Sequence, residues 1–371
     1  MKLKPIEEQV VVLVGASSGI GRAAALKFAQ RGARVVVAAR GAEGLQSLVE
    51  EIRASGGEAV SYTCDVLHYG AIKALADSAA DVYGRVDTWV HLAAVSLYAT
   101  FEQTEPEEFK QVIDTNLTGQ AYGAMAALPH LRRAGGGALI HVSSVEARRA
   151  LPLQSAYAAS KHGMKGFIEA LRVELLHEGA PISVTEIMPA SINTPFFDKA
   201  RTKMGVKPQG IPPIYQPDTV AEAILYAAEN PVPEIIVGGA GKAFIVGEKF
   251  APRLLDTVLA RVGFEGQRTD EPRGEDAPDN LFHTLDRDDP VEGDFTGRAL
   301  KTSAYTWLTT HPGVKYALTL GAVGVLAALA TRARSGGQDN GRSQRAKVGD
   351  KSGKRREAGA RDATRLRLRR S

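Results

Sequence analysis

Along the first 240 residues, short runs of β-branched and aliphatic residues alternate with longer stretches whose apolar positions return every three to four residues. Residues 10–14 are apolar at every position, the pattern of a strand covered on both faces. Residues 34–38, 59–63, 88–91, 138–142, 183–187 and 234–237 predict six further strands. The helical period fills the intervals at 20–31, 44–55, 71–83, 106–131, 156–178 and 218–229. Strict alternation of strand and helix predicts a parallel sheet with helices on both sides. The expected fold is therefore α/β: a doubly wound, Rossmann-like sheet of about seven strands over residues 1–240.

Beyond residue 240 the pattern changes. Residues 241–264 predict an amphipathic helical extension, broken near Ala251-Pro252. Residues 265–298 carry 11 acidic and 4 basic side chains with few large apolar ones, so 265–304 reads as a solvated acidic linker. Residues 305–331 contain a 16-residue run without charge (316–331), and 332–371 form a basic tail predicted to be disordered.

Charge alters the picture because the formal net of +4 sums two unlike parts. The tail holds 14 Lys/Arg against 4 Asp/Glu, a net of +10, which leaves residues 1–331 at −6. The basicity belongs to the tail. Its lack of interleaved aromatic residues argues against nucleic acid as the partner. A span of 16 residues at ~1.5 Å each reaches about 24 Å, short of the ~30 Å hydrocarbon core. A single span would also export the basic tail against the positive-inside rule. A helix lying on an anionic membrane surface fits better, and a merely solvated tail stays open beside it. The single cysteine, Cys64, and the absence of an apolar run after the N-terminal lysines point to a reducing, cytoplasmic setting, with peripheral attachment to the membrane face as the variant. No Cys-cluster metal site can be built, and none is expected.

Candidate chemistry starts where the first strand meets the first helix, at Gly15-Ala16-Ser17-Ser18-Gly19-Ile20-Gly21. Glycines there let the backbone turn tightly and approach a pyrophosphate resting on the helix N-terminus. The second strand ends Val37-Ala38-Ala39-Arg40, with no acid for a ribose 2′-hydroxyl. Arg40 offers a guanidinium suited to a 2′-phosphate, so the expected cofactor is NADP(H); Arg22, just past the glycine loop, is either a second contact or solvated surface. Further on, Tyr157 and Lys161 lie four apart in a helical stretch and so share a face. A free phenol, with pKa near ~10, is a poor base at neutral pH, and a neighbouring ammonium lowers that value. Ser143-Ser144 closes a strand thirteen residues before Tyr157, at the sheet edge where α/β ligands bind.

Taken together, the glycine loop, Asp65, Asn116, Ser144, Tyr157, Lys161 and Pro189-x-x-x-x-Thr194 resemble the short-chain dehydrogenase/reductase family over residues 8–240. The resemblance implies hydride transfer between NADP(H) and an alcohol or ketone, with Tyr157 as general acid/base. It implies that Ser144 hydrogen-bonds the substrate oxygen and that Lys161 holds the nicotinamide ribose and depresses the tyrosine pKa. Asn116 would hold a water leading to solvent, Asp65 and Val66 would meet the adenine, and Ile192 and Thr194 the carboxamide. Homo-oligomers that pair the helices at 106–131 and 156–178 are expected on the same ground. Two departures stand out: His91-Leu92-Ala93-Ala94 replaces the family's Asn-Asn-Ala-Gly, and Pro189-Ala190 its Pro-Gly. His91, at a strand end, is expected to be structural. Pro195-Phe196-Phe197 and Ile211-Pro212-Pro213-Ile214-Tyr215, in the segment that covers the substrate in this family, favour a hydrophobic substrate. Two rival readings remain: a sensor or scaffold that binds NADPH without turnover, and a lyase or epimerase on the same fold.

Overall fold

A computed structural model describes residues 1–317 and Thr319. Seven strands form one sheet: β1 (Val10–Val14), β2 (Arg34–Ala39), β3 (Glu58–Thr63), β4 (Thr88–His91), β5 (Gly137–Val142), β6 (Ile182–Pro189) and β7 (Glu234–Val237). Their spatial order is β7-β6-β5-β4-β1-β2-β3, and every pairing is parallel. The sheet is the doubly wound α/β arrangement that the strand–helix alternation predicts.

Alternation along each strand divides the core into two layers. Val11, Leu13, Val35 and Val37 pack with α1 (Gly19–Gln30), α2 (Ala42–Ala54) and the later helix Asp218–Glu229 on one face. Val12, Val14, Val36 and Leu139 pack on the other with α3 (Tyr69–Tyr83), α5 (Gly119–Arg133) and α6 (Ser155–His177). Because side chains alternate along a strand, a strand buried on both faces must be apolar throughout, as β1 is. The order reverses between β1 and β4, which opens a crevice at their C-terminal ends.

The helix expected over 106–131 is interrupted. Pro106–Ile113 (α4) passes into a π-helical turn, Asp114–Thr118, before α5 resumes. One extra residue per turn leaves no mark in an apolar period, so the sequence reading ran the two helices together. The helical extension does break at Ala251-Pro252, between Gly239–Phe250 and Pro252–Val262.

The acidic segment departs from the expected solvated linker. Arg268–Pro272 pairs antiparallel with Val206–Pro208, and Leu281 and Phe295 are buried. Its carboxylates are answered by cations of the domain: Asp288 by Arg22, Asp289 by Lys199 and Asp294 by Lys207. Met1–Thr310 accordingly forms one compact unit. Among the described residues no helix is long and apolar enough to cross a membrane, and no group of side chains is set to hold a metal ion. Nearly all of the apolar run at 316–331, and the whole basic tail at 332–371, lie outside the described residues.

Candidate active site

The crevice begins at the turn from β1 into α1. Gly15 sits at φ +90°, and a Cβ there would come within 2.6 Å of the Ala93 nitrogen. A Cβ on Gly21 would stand 2.2 Å from the Gly15 carbonyl oxygen, so the turn closes only without side chains. Gly19, at φ +57°, faces the Thr194 side chain, 3.1 Å from where its Cβ would be. Ser18 starts α1 without a side-chain cap, which leaves helix N–H groups for an outside acceptor. A groove runs from here past Arg40 and Gly41 on one side and past Leu92–Val95, Thr115 and Thr194 on the other. A glycine cradle, a helix N-terminus and a cation at the end of β2 are the donor set a 2′-phosphorylated dinucleotide requires.

Most of the residues expected at this site meet in the crevice. Ser17, Ser18, Gly19, Ile20 and Gly21 line the groove, as do Arg40, Val66 and Thr194. Asp65 does not line it. Its Oδ1 accepts from the Leu67 N–H at 3.0 Å, and its neighbours Cys64 and Val66 form the wall. Ile192 lies in the adjoining pocket with Ser144, Tyr157 and Lys161.

That second pocket gathers the residues expected to carry the proton chemistry. Ser144 follows β5 in extended backbone, and its Oγ accepts from the Glu146 N–H at 3.1 Å. A hydrogen bond from Ser144 also reaches the Tyr157 phenol. Lys161, one turn further along α6, is buried with Nζ 5.3 Å from the Tyr157 ring centre, and it donates to the Val142 carbonyl at 3.3 Å. Asn116 sits in the π turn, fully buried. Its side chain accepts from Val95 N–H at 2.8 Å, donates to Val95 C=O at 2.9 Å and reaches Ser160 Oγ at 3.3 Å. The Ser160 hydroxyl in turn donates to the Tyr157 carbonyl at 2.6 Å. Asn116 thus ties the floor of the pocket to α6, and its side chain is fully committed.

Burial governs the electrostatics. It raises the Tyr157 phenol well above its ordinary value, with Glu146 adding to the rise and the Ser144 bond opposing it. The lowering that an adjacent ammonium would produce is not what dominates in the protein alone. Burial also depresses Lys161 to about 8 against the pull of Glu186 and Glu146. Glu146, which the sequence reading overlooked, is raised to about 8 by burial, opposed by the Leu151 N–H and Lys161. Tyr98, fully buried, completes this wall.

A measurable pH effect follows from Glu146. Its carboxyl holds a proton in the folded chain up to about pH 8 but releases it near 4.5 when unfolded. Between those values the folded state binds the extra proton, so stability falls as pH rises through the window. Glu146→Gln removes that titration. Its stability relative to the parent chain is expected to improve by on the order of 2 kcal/mol between about pH 5 and pH 8. Denaturant midpoints at the two pH values check this, and an unchanging difference would contradict it.

His91 plays no part at the pocket. It is fully buried, neither ring nitrogen has a partner, and burial with His141 and Lys161 nearby keeps it neutral. A Cβ on Gly123 of α5 would lie 2.1 Å from its Nδ1, so the ring fills the layer between sheet and helix. Sequence reading also missed Lys199, Asn280, Thr284 and Arg287, all of which line the cofactor groove. No local motif marks them, because they arrive from distant parts of the chain.

Comparison with known proteins agrees with this geometry. A family model described as short chain dehydrogenase matches residues 9–205. The uncharacterized oxidoreductase YxnA of Bacillus subtilis (strain 168) is 36% identical over 334 residues, which span 88% of this chain and 92% of the relative. That span has to take in the acidic segment, whereas the family model stops before it. Among solved structures, a metagenomic short-chain oxidoreductase in complex with NADP is 31% identical at a TM-score of 0.53, over 62% of this chain and 96% of that one. An alcohol dehydrogenase from the archaeon Thermococcus sibiricus, complexed with 5-hydroxy-NADP, is 25% identical at a TM-score of 0.55, over 62% of this chain and 95% of that one.

Proposed function

The chain belongs to the short-chain dehydrogenase family, and on that premise we propose that it is an NADP(H)-dependent oxidoreductase interconverting a carbonyl and an alcohol on a substrate with a largely apolar body. The convergence of Ser144, Tyr157 and Lys161 on one pocket, which shares Ile20, Val142, Thr194 and Phe196 with the glycine-loop groove, carries the reading. NADP(H), when bound, supplies or accepts the hydride.

The residues of the chain do the rest. Ser144 Oγ accepts from the Glu146 N–H and gives its own hydrogen to the Tyr157 phenol, so a substrate oxygen entering between the two would take that hydrogen in place of the phenol. Tyr157, protonated across the neutral range because burial raises its pKa, holds the proton that a carbonyl oxygen would take up on reduction. Lys161 holds its charge at the inner side of the phenol, where ribose hydroxyls would meet it, and Asn116 secures the backbone beneath. Arg40 would hold the 2′-phosphate, the glycine loop the pyrophosphate, and Ile192 and Thr194 the carboxamide.

The lining of the second pocket supports an apolar substrate. Its glutamines are committed elsewhere: Gln154 donates to Gln267 at 2.7 Å, Gln267 to the Pro152 and Gly263 carbonyls, and Gln209 to that of Arg268. Val145, Leu151, Phe196, Phe197 and Ile211 line it beside them. Exposed Met125 on α5 and exposed Val173 and Leu176 on α6 are apolar positions on the two helices that would pair in a homo-oligomer.

NADPH oxidation followed against a panel of ketones and aldehydes tests the activity, and a panel with no turnover would reject it. For the cofactor, Arg40→Asp is expected to weaken NADPH by about 10–100-fold and to bring NADH to parity or better, since it exchanges a cation at the 2′-position for an acceptor of a 2′-hydroxyl. Fluorescence titration of both dinucleotides checks it, and an unchanged preference would remove Arg40 from the site.

A further inference from the structure

Residues 279–290 return to the cofactor groove from late in the chain and are fastened at both ends. Leu281 is fully buried beside Val95, Leu97 and Val112, and its carbonyl accepts from Gln111 Nε2 at 2.9 Å. The Asn280 N–H donates to the Lys199 carbonyl at 3.0 Å. At the other end the Pro290 carbonyl accepts from the Gly19 N–H at 3.1 Å, and Asp289 pairs with Lys199 at 2.6 Å. Between these anchors Asp288 bridges Arg22 at 2.7 Å and the Ser47 hydroxyl at 2.9 Å. Asp286 Oδ1 accepts from the Glu43 N–H at 2.9 Å. Helix α2 follows Gly41, which has no side chain to cap it, so Asp286 caps it from across the groove.

The inner side of this segment lines the groove with Asn280, Thr284, Leu285 and Arg287. Its position indicates what these residues would meet. In a doubly wound fold the end of the second strand reads the adenosine ribose. Arg40 and Gly41 stand there, and the atoms nearest the open side of Gly41 are Asp286 Oδ1 and Thr284 Oγ1. The Arg287 carbonyl lies against Gly44 beside Ser17, and its Nε donates to Asp289 Oδ1 at 2.8 Å, which leaves the terminal N–H groups of the guanidinium for a further anion. Arg40 donates one N–H to the Asn280 carbonyl at 2.7 Å, which fixes its guanidinium and leaves other donors for an anion. The Asn280 side-chain oxygen is buried with no partner, an acceptor awaiting a donor at the groove wall.

We infer that residues 280–287 are a working part of the cofactor site, in which Arg287 serves with Arg40 as a second cation for the adenosine 2′-phosphate and the anchors at Asp286 and Asp288 make the segment a clasp that must loosen before the cofactor leaves. The inference rests on the NADP(H) reading above. A 2′-phosphate carries more than one negative charge at neutral pH, so a second guanidinium has something to neutralise, whereas a 2′-hydroxyl does not need it.

The test uses the full-length chain, with NADPH and NADH titrated by fluorescence into the parent protein and into Arg287→Ala. NADPH affinity is expected to fall about tenfold while NADH changes less than twofold. Equal losses for the two, or no loss, would overturn the role of Arg287. Asp288→Asn, which keeps shape and removes the charge facing Arg22, is expected to speed NADPH release several-fold when excess NADP+ chases it in a stopped-flow mixer. An unchanged release rate would overturn the clasp. Both side chains are about half exposed, and matching thermal melts exclude a folding defect as the cause. A parent protein that bound neither dinucleotide would remove the NADP(H) reading and this inference with it. Tight NADPH binding indifferent to Arg287 would remove the inference alone.

Discussion

Tyr157→Phe is expected to lower turnover by about 10³-fold while leaving NADPH affinity within a few-fold of the parent. The phenylalanine ring can keep the packing that the tyrosine ring makes against Phe196, at 6.0 Å between centres, so the pocket should survive. What disappears is the hydroxyl that Ser144 orients and that holds the proton. Neighbouring groups are poor substitutes. Ser144 has no titration near neutrality, and Lys161 lies behind the ring and bonds to the Val142 carbonyl. Glu146, raised to about 8, is a buried acid close by, and it adds to the rise of the phenol. Steady-state rates set beside a fluorescence titration of the same variant separate chemistry from binding. Activity within tenfold of the parent would mean that another group moves the proton, and Glu146 would be the first to examine.

Gly21→Ala is expected to be as damaging at the level of the fold. Its Cβ would lie 2.2 Å from the Gly15 carbonyl oxygen and 2.8 Å from Ala16 Cα. Both are backbone atoms of a turn that Gly15 already holds at φ +90°, so neither can swing aside as a side chain would. The loop or the start of α1 has to move, at a cost of about 2–4 kcal/mol in stability and with loss of measurable NADPH binding. Urea denaturation and the same titration read the two effects. A variant as stable as the parent would show that the turn is looser than this geometry requires.

Much of this architecture was legible before any coordinates. The continuous apolar run of β1 and the alternating strand and helix periods follow from covering a parallel sheet on both faces, and strand ends moved by no more than a few residues. The candidate catalytic set was legible for a different reason: the chemistry expected of it is constrained locally. A glycine turn must precede its helix, and a phenol and an ammonium on one helix face must be four residues apart. Glu146 was not legible, since a lone acid two residues after a serine is ordinary until burial removes its water. The acidic segment was misjudged because composition counts charges without saying which cations answer them. Asp288 lies 266 residues from Arg22, and nothing local to either announces the pair.

The sequence by itself therefore determined the layered sheet, the glycine turn under the cofactor and the spacing of Tyr157 and Lys161, each a matter of local geometry repeated along the chain. Only the tertiary structure decided the proton affinities and the outer wall of the groove. Burial, and not the neighbouring ammonium, sets the phenol in the protein alone, because removal from water outweighs a charge at that distance. The wall of Asn280, Thr284 and Arg287 exists because separate ends of one chain are brought to the same helix terminus, a proximity that no sequence interval records.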